Sequence, residues 1–196
     1  TNMWMSVRDF DGILGLATSQ RLLMPWNRAV KRFLDILLVG LGGLVILPLL
    51  VLLGLLVKVS SPGPAIYGHT RIGRNGKPFK ALKFRSMVRD AEARLEALLE
   101  SDPEVKREWE ANHKLRDDPR GTPIGRCLRK TSFDEFPQLW NIQIGEMSLV
   151  GPRPIVSAEI EKYGPSYERV FSVKPGLTGL WQVSGRNALP FPERVA

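Results

Sequence analysis

Cysteine is almost absent from the sequence, and this scarcity excludes two classes of small domain. Only Cys127 carries a thiol among 196 residues, so the chain can form neither an intramolecular disulfide nor a zinc site built on cysteines. We found no internal repeat and no low-complexity tract, and charged residues make up 24% of the chain, the usual share for a folded protein. The sequence therefore predicts one modest domain with a packed core, in a reducing compartment.

Acidic residues are missing between Ile36 and Arg89, where the chain is strongly basic. Eight cations lie there, as many as the net charge of +8: Lys58, Arg71, Arg74, Lys77, Lys80, Lys83, Arg85 and Arg89. Such an excess indicates an anionic partner, either nucleic acid, anionic lipid or a phosphorylated substrate. The band could hold the protein against lipid headgroups, or some of its cations could bind substrate phosphate. The two roles are compatible.

Charge of either sign is absent from the 22 residues between Ile36 and Val57. As a straight helix this run would reach roughly 33 Å, enough to cross a hydrocarbon core of about 30 Å. However, Pro48 interrupts its backbone hydrogen bonding, and basic residues flank both ends. We therefore favour a re-entrant helix that bends at Pro48 and returns to the cytoplasmic face over a simple span.

The position of the apolar run also suggests how the chain is organised. The run comes too late, and is too long, for the apolar segment of a signal peptide. We expect residues 28–60 to form the membrane helix and residues 61–196 to form a separate cytoplasmic part. The chain starts without Met and ends without a clear stop, so we expect it to be part of a longer protein.

Downstream of this run the pattern changes to short strands and amphipathic helices. The Asn75-Gly76 turn predicts a hairpin that leads into residues 79–84. Leucines on one face predict a helix over residues 87–99, and Asp102-Pro103 is a typical start for the next helix.

Two adjacent carboxylates, Asp134 and Glu135, follow two cations in the segment RKTSFDEFPQ. Ser132 and Glu135 have the spacing of a capping box, or else Pro137 opens a helix and the acids lie just before it. Both arrangements put the acids at a helix N-terminus, where the dipole favours their ionised form. A capping box with solvated acids would be a structural feature only, whereas ionised acids could serve as a nucleophile or metal ligand.

Further candidates for phosphate binding lie downstream of the two acids. Arg153 is held stiffly between Pro152 and Pro154, which suits a guanidinium that grips phosphate. A glycine-rich segment with hydroxyls and cations, KPGLTGLWQVSGR, ends at Arg186. Together with a membrane segment, these features indicate phosphate chemistry at a membrane surface.

The order of motifs resembles that of a known family over roughly residues 31–194. The apolar run with its proline is followed by PAIYGHTRIGRNGKPFKALKFRSM, RKTSFDEFPQLWN, MSLVGPRP and KPGLTGLWQVSGR. These motifs are similar to those of the monotopic phosphoglycosyl transferases, the bacterial sugar transferase family, and most similar to its undecaprenyl-phosphate galactose phosphotransferase branch. The resemblance implies a mostly helical α+β fold with a re-entrant membrane helix hairpin, amphipathic interfacial helices and a small cytoplasmic part with short strands. It also implies that residues 1–27 are the end of an upstream region or linker and that residues 61–196 are the cytoplasmic catalytic domain.

The resemblance also implies a reaction and roles for residues. Such an enzyme transfers a sugar 1-phosphate from a UDP-sugar to undecaprenyl phosphate, releasing UMP, as the first membrane step of O-antigen, capsule or exopolysaccharide synthesis. Asp134 would be the covalent nucleophile and Glu135 the ligand of a Mg²⁺ ion. Lys83, Arg85, Arg129 and Arg153 would bind phosphate, with support from Gln138, Pro152, Pro154 and Arg186. The enzyme would sit in the bacterial inner membrane among membrane lipid, inserted from the cytoplasmic face, and could form a homo-oligomer.

Two other classes of protein would explain part of the sequence. A non-catalytic basic membrane anchor or scaffold explains the apolar run and the charge, but not the pair of carboxylates beside cations. A nucleic-acid-binding module explains the charge alone, since no binding motif is present and the apolar run has no place in it. We therefore expect an enzyme without a nucleic-acid partner.

Overall fold

A computed structural model describes residues 5–10, 13–18, 24–112, 115 and 118–179 of the chain. These residues form mostly helices with short strands, which confirms the coarse α+β prediction. The strands are β1 (Met5–Phe10), β2 (Ile13–Thr18), β3 (Ile66–Ile72), β4 (Pro78–Phe84), β5 (Ser148–Val150) and β6 (Gly176–Thr178). The helices are α1 (Pro25–Ser60), α2 (Ala91–Ser101), α3 (Pro103–Asn112), α4 (Pro123–Thr131), α5 (Gln138–Ile144), α6 (Ile160–Tyr163) and α7 (Tyr167–Phe171).

Helix α1 contains the whole apolar run and is long and apolar enough to cross a membrane. Only 11% of its most apolar window is buried inside the protein, so α1 is unlike the core helix of a soluble domain. The helix is continuous through Pro48, so this residue does not divide it into two separate helices. The re-entrant path stays a prediction, and so does the surface position of the amphipathic helices.

The basic end of α1 is tied to the rest of the protein by polar contacts. Asp35 is buried, and its carboxylate accepts hydrogen bonds from Ser148 Oγ at 2.7 Å and from the backbone N–H of Leu149 at 3.1 Å. Arg32 donates to the carbonyls of Ile142 and Gln143 at the end of α5, the second at 2.6 Å. Since carbonyls at a helix C-terminus lack partners within the helix, a cation there is well placed.

The far end of α1 packs against the same part of the protein by apolar contacts. Val57, which is 1% exposed, forms a buried cluster with Phe84 of β4 and Leu128 of α4. Arg85 reaches the loop after the helix and donates from Nη2 to the carbonyl of Ser61 at 2.5 Å. Helix α1 is therefore attached at both ends, and its middle lies away from the core.

Strands β3 and β4 form the antiparallel hairpin that the Asn75-Gly76 turn predicts. Both turn residues have positive φ, 57° at Asn75 and 75° at Gly76, which is why this dipeptide suits the position. The predicted start of α3 is also confirmed, because the Asp102 carboxylate accepts from the backbone N–H of Glu104 at 2.9 Å.

A buried asparagine joins β4 to α5 and so fixes the part of the hairpin that carries Lys83. Asn141 is 1% exposed, and its side-chain amide makes hydrogen bonds to the backbone of β4 on both sides of residue 81. It accepts from the N–H of Leu82 at 3.0 Å and donates to the carbonyl of Lys80 at 2.8 Å. Buried amides that are fully paired in this way restrict the register of the elements they join.

Candidate active site

The two acids lie in a tight turn, Phe133–Glu135, called the acidic turn below. Helix α4 ends at Thr131, and Ser132, between the helix and the turn, adopts a left-handed conformation with φ of 62°. The Ser132 side chain caps no backbone N–H, so the capping-box alternative is wrong. The second alternative is close to the structure, since the acids precede α5 and Pro137 is the residue before its first one.

Lys83 of β4 contacts both carboxylates of the acidic turn. Its ammonium donates to Glu135 Oε1 at 2.6 Å and lies 3.8 Å from Asp134 Oδ2. The Asp134 side chain is 11% exposed and that of Glu135 33%, so Asp134 is the more enclosed of the two acids. The sequence predicts Lys83 as a phosphate-binding residue only, whereas the structure places it between the two acids.

Burial dominates the electrostatics of Asp134. Removal from water raises the pKa of its carboxyl above the usual range, while Lys83 opposes this shift, Glu135 adds to it and Arg129 opposes it. The net shift is thus opposite in direction to the predicted effect of the helix dipole. Helix α5 has only seven residues, and the desolvation of a nearly enclosed acid outweighs its effect.

Arginines approach the acidic turn from two directions. Arg129 comes from the last turn of α4 and acts on both Asp134 and Asp118. On the other side, Arg153 lies 3.9 Å from Glu159 Oε1 and is close enough to Arg71 to lower its pKa, an effect second to that of burial. A guanidinium stays charged despite such a shift, so Arg71 and Arg153 together form a concentrated positive patch.

Arg71 is a site residue that sequence reasoning missed. In the sequence it is only one cation of the basic band. In the structure it reaches the carbonyl of Pro154 from β3 and feels the charge of Glu135. The alternation of side chains along a strand could have indicated it. In the observed register of the hairpin, Arg71 and Lys83 lie on the same face of the sheet.

Arg85 lies apart from the acidic turn, against the loop that follows α1. Its Nε and Nη1 groups are buried and have no hydrogen-bond partner within the described residues. A Cβ at Gly63 would come within 2.5 Å of Nη1, so the loop passes directly over the guanidinium. Buried donors without protein partners are rare, and a water molecule, an ion or a catalytic role commonly accounts for them.

Three of the residues predicted to support the site, Gln138, Pro152 and Pro154, are fixed in place by burial or by contacts of their backbone. Gln138 is 3% exposed and begins α5. The carbonyl of Pro152 accepts from Gly176 of β6 at 2.8 Å, which together with the Arg71 contact to Pro154 fixes both neighbours of Arg153. Arg186 lies outside the described residues.

The carboxylates of the acidic turn fit a magnesium ion that also binds phosphate oxygens of a substrate. Within residues 24–112, 115 and 118–179, no group of three or more His, Cys, Asp or Glu side chains could enclose a metal. Magnesium, however, commonly takes one or two carboxylates and completes its shell with water and phosphate oxygens. Asp134 and Glu135 supply such a pair.

An apolar pocket of about 650 Å³ lies between the middle of α1 and the remainder of the chain. Its lining is almost entirely apolar: α1 residues from Val39 to Gly54 form one wall, and Leu82, Phe84, Phe136, Pro137 and Trp140 contribute to the other, with Gln143 at the side. Leu82 and Phe84 flank Lys83, and Phe136 follows Glu135 directly. The pocket therefore borders the segments that carry the acids and their lysine.

Comparison with known proteins places these features in a family context. A family model described as "Bacterial sugar transferase" matches residues 26–196. The UDP-galactose-lipid carrier transferase of Erwinia amylovora is 50% identical over 184 residues, 93% of this chain and 38% of the relative. The undecaprenyl-phosphate galactose phosphotransferase of Salmonella typhimurium is 50% identical over 183 residues, with the same coverage of both chains.

A third relative is shorter. The exopolysaccharide production protein ExoY of Sinorhizobium fredii is 49% identical over 174 residues, 89% of this chain and 77% of the relative. The chain thus spans 38% of the length of the first two relatives and most of the third. These matches confirm the family resemblance drawn from the motifs.

Proposed function

The chain belongs to the bacterial sugar transferase family, and we propose that it transfers a sugar 1-phosphate from a UDP-sugar to undecaprenyl phosphate. The observation that carries this proposal is the pairing of Lys83 with two acids at 2.6 and 3.8 Å, one of them nearly buried. An enclosed carboxylate beside a cation can attack phosphorus and can be regenerated. An acid with only a structural role would not require a second acid beside it or several arginines nearby.

Two in-line displacements at phosphorus account for the transfer. An Asp134 oxygen attacks the phosphorus that bears the sugar, and the bond from that phosphorus to UMP breaks. An oxygen of the polyprenyl phosphate then attacks the same phosphorus, and the bond to Asp134 breaks, which restores the carboxylate. Each step joins two anions, so the surrounding cations lower the repulsion between them.

The cations divide naturally between these anions. Lys83 and Arg71 act on the acidic turn, and Arg153 lies close to Arg71, so these three cations would hold the diphosphate of the donor. Arg129 acts on Asp134 from the other side. Arg85, whose buried Nε and Nη1 groups find no partner in the part of the chain that the structure describes, would hold an oxygen of a phosphate at membrane level. Mg²⁺ held by Glu135 would neutralise charge on the diphosphate.

The apolar pocket supports a lipid acceptor. Its volume of about 650 Å³ can hold several isoprene units, and its walls offer them little to hydrogen-bond. A polyprenyl chain in this pocket would leave its phosphate close to the segments that carry Lys83 and the acidic turn. A soluble acceptor would gain nothing from such a pocket.

The function is tested by mixing the protein, in detergent, with undecaprenyl phosphate and a panel of UDP-sugars. We expect UMP and a lipid-linked sugar diphosphate from at least one UDP-hexose, with UDP-galactose as the first candidate. Products are followed by mass spectrometry and by UMP detection. If no UDP-sugar yields UMP, the transferase proposal is refuted and a membrane anchor becomes the better explanation.

We further propose that α1 enters the bacterial inner membrane from the cytoplasmic face and returns to it. Residues on both sides of the apolar run, Asp35 and Ser61, contact the same small body. A straight helix between them would extend about 39 Å, which would put them on opposite sides of a bilayer. Attachment at both ends is therefore easier to reconcile with a bent helix than with a span.

Labelling of single cysteines tests this topology in intact cells. With Cys127 replaced by Ser, cysteines at Ala29 and Ser60 should both be protected from an impermeant thiol reagent and both react after lysis. Labelling of one of them from outside would demonstrate a span. A third cysteine on the apolar run, at Val45, should resist labelling in both conditions because it is surrounded by lipid.

A further inference from the structure

A second cluster of cations lies away from the acidic turn, around a cavity of about 460 Å³. This cationic pocket is lined by five basic residues and one acid: Arg28, Lys31, Arg32, Arg74, Lys174 and Asp35. Of the residues named for the reaction, only Pro152, a neighbour of Arg153, lines it. Helix α5 separates the two places, since the acidic turn precedes this helix and Arg32 binds its last carbonyls.

The charges of the cationic pocket do not cancel. Its one acid, Asp35, is already occupied by Ser148, by the N–H of Leu149 and by Lys31 at 3.5 Å. No carboxylate among the described residues forms an ion pair with Arg28 or Lys174. Four positive charges are thus left facing one cavity, and all belong to half-buried side chains.

Two of these cations are held close to each other. The position that a Cβ of Gly145 would take lies 3.2 Å from Lys174 Nζ and 3.3 Å from Arg32 Nη2. Burial lowers the pKa of Lys174, and the nearby Arg32 and Arg74 lower it further. Like charges at this separation repel each other unless an anion lies between them.

The turns of α1 that line the cationic pocket expose large apolar side chains on their other side. Trp26 is 75% exposed and Phe33 63%, and the uncharged run begins directly after Asp35. An aromatic and basic boundary of this kind is typical of helix segments at the level of lipid headgroups. The anion that reaches the pocket would therefore be carried on an amphiphile.

We propose that the cationic pocket binds the phosphate group of an anionic membrane phospholipid, as a site separate from the one that performs the transfer. The proposal depends on the membrane position of α1 but not on the chemistry of Asp134. Arg28, Arg74 and Lys174 would contact the phosphate oxygens, while Asp35 and Ser148 hold the helix that forms the wall. A lipid bound here would join α1 to the loop that contains Gly151 and Pro152.

The test compares lipid retention by the purified protein in nanodiscs of phosphatidylcholine that contain a minor fraction of phosphatidylglycerol. Native mass spectrometry after release from the discs should find phosphatidylglycerol retained by the wild type. Lys174→Gln and Arg28→Gln should each weaken retention about ten-fold, the effect of losing one charge-assisted contact. Lys77→Gln, which removes an exposed cation outside the pocket, should retain the lipid as the wild type does.

Each other outcome overturns the proposal in a defined way. Equal losses in all three variants would show general attraction to an anionic surface. Unchanged retention in Lys174→Gln and Arg28→Gln would exclude the pocket. Complete displacement of the retained phosphatidylglycerol by free glycerol phosphate would show that the pocket selects a soluble anion and not a lipid. Because retention is measured without substrate, the result stands whether or not the transferase proposal holds.

Discussion

Replacing Asp134 by Asn should abolish phosphosugar transfer and at the same time make the folded protein more resistant to heat. An amide is a poor nucleophile toward phosphorus, so we expect turnover to fall at least about 10³-fold. Wild-type protein mixed with a UDP-sugar alone should release roughly one UMP per active site before any acceptor is added. It should also gain the mass of a phosphosugar on the peptide that holds Asp134, and the variant should show neither event.

The gain in heat resistance follows from the direction of the pKa shift. Burial raises the pKa of Asp134 in the folded protein above its value in the unfolded chain. Ionised Asp134 therefore destabilises the folded state, and this cost grows as the pH rises from the unfolded pKa toward the folded one. The neutral amide of the variant carries no such cost. The midpoint of thermal unfolding should be higher in the variant at neutral pH, and the difference should shrink as the solution is acidified.

The control for both effects is Asp90→Asn, which changes an exposed acid that is paired with Arg94. This variant should keep its activity and should not gain stability. The wild-type rate should fall on acidification, with an inflection above the pKa of an ordinary aspartate, since protonated Asp134 cannot attack. Near-normal turnover by Asp134→Asn would refute the covalent mechanism and leave direct attack by the polyprenyl phosphate.

Replacing Glu135 by Gln should reduce turnover at least about 10²-fold while the acidic turn still folds. The change removes the stronger partner of Lys83, at 2.6 Å, and the carboxylate that we assign to Mg²⁺. The variant should need more magnesium for half-maximal rate, and the covalent adduct on Asp134 should still form, only more slowly. Chelator should inactivate the wild type, and added magnesium should restore it.

Glu104→Gln, on the exposed side of α3, is the matched control and should respond to magnesium as the wild type does. The two catalytic variants are told apart by the adduct, which Asp134→Asn lacks and Glu135→Gln retains. Full wild-type activity in excess chelator would exclude a metal at the acidic turn. In that case Glu135 would act through Lys83, by holding its ammonium near the phosphate.

Local signals in the sequence were enough to predict the main elements. The turn chemistry of Asn75-Gly76 and the cap at Asp102 depend on a few neighbouring residues, and both predictions are confirmed. The two acids were likewise visible as adjacent carboxylates beside cations. Their place before α5 was one of two open alternatives, because Ser132 satisfied the spacing of a capping box without forming one.

What the sequence could not supply are the distances between residues far apart in the chain. The contact of Lys83 with Glu135 joins positions 52 residues apart, and it depends on the way Asn141 sets β4 against α5. Arg71 belongs to the site for the same reason. The pKa of Asp134 depends on its enclosure, which no short pattern encodes, and so the helix dipole alone predicts the wrong sign.

The contact between Asp35 and Ser148 also sets an order of events during synthesis. The two residues are 113 positions apart, so at about 5–20 residues per second the helix leaves the ribosome roughly 6–23 s before its polar anchor exists. During that interval an apolar helix with a carboxylate that is not yet buried has no body to hold it in place. In the topology proposed above, lipid or the insertion machinery would have to hold α1 during this time, and the polar anchor of the helix would be complete only when β5 has been made.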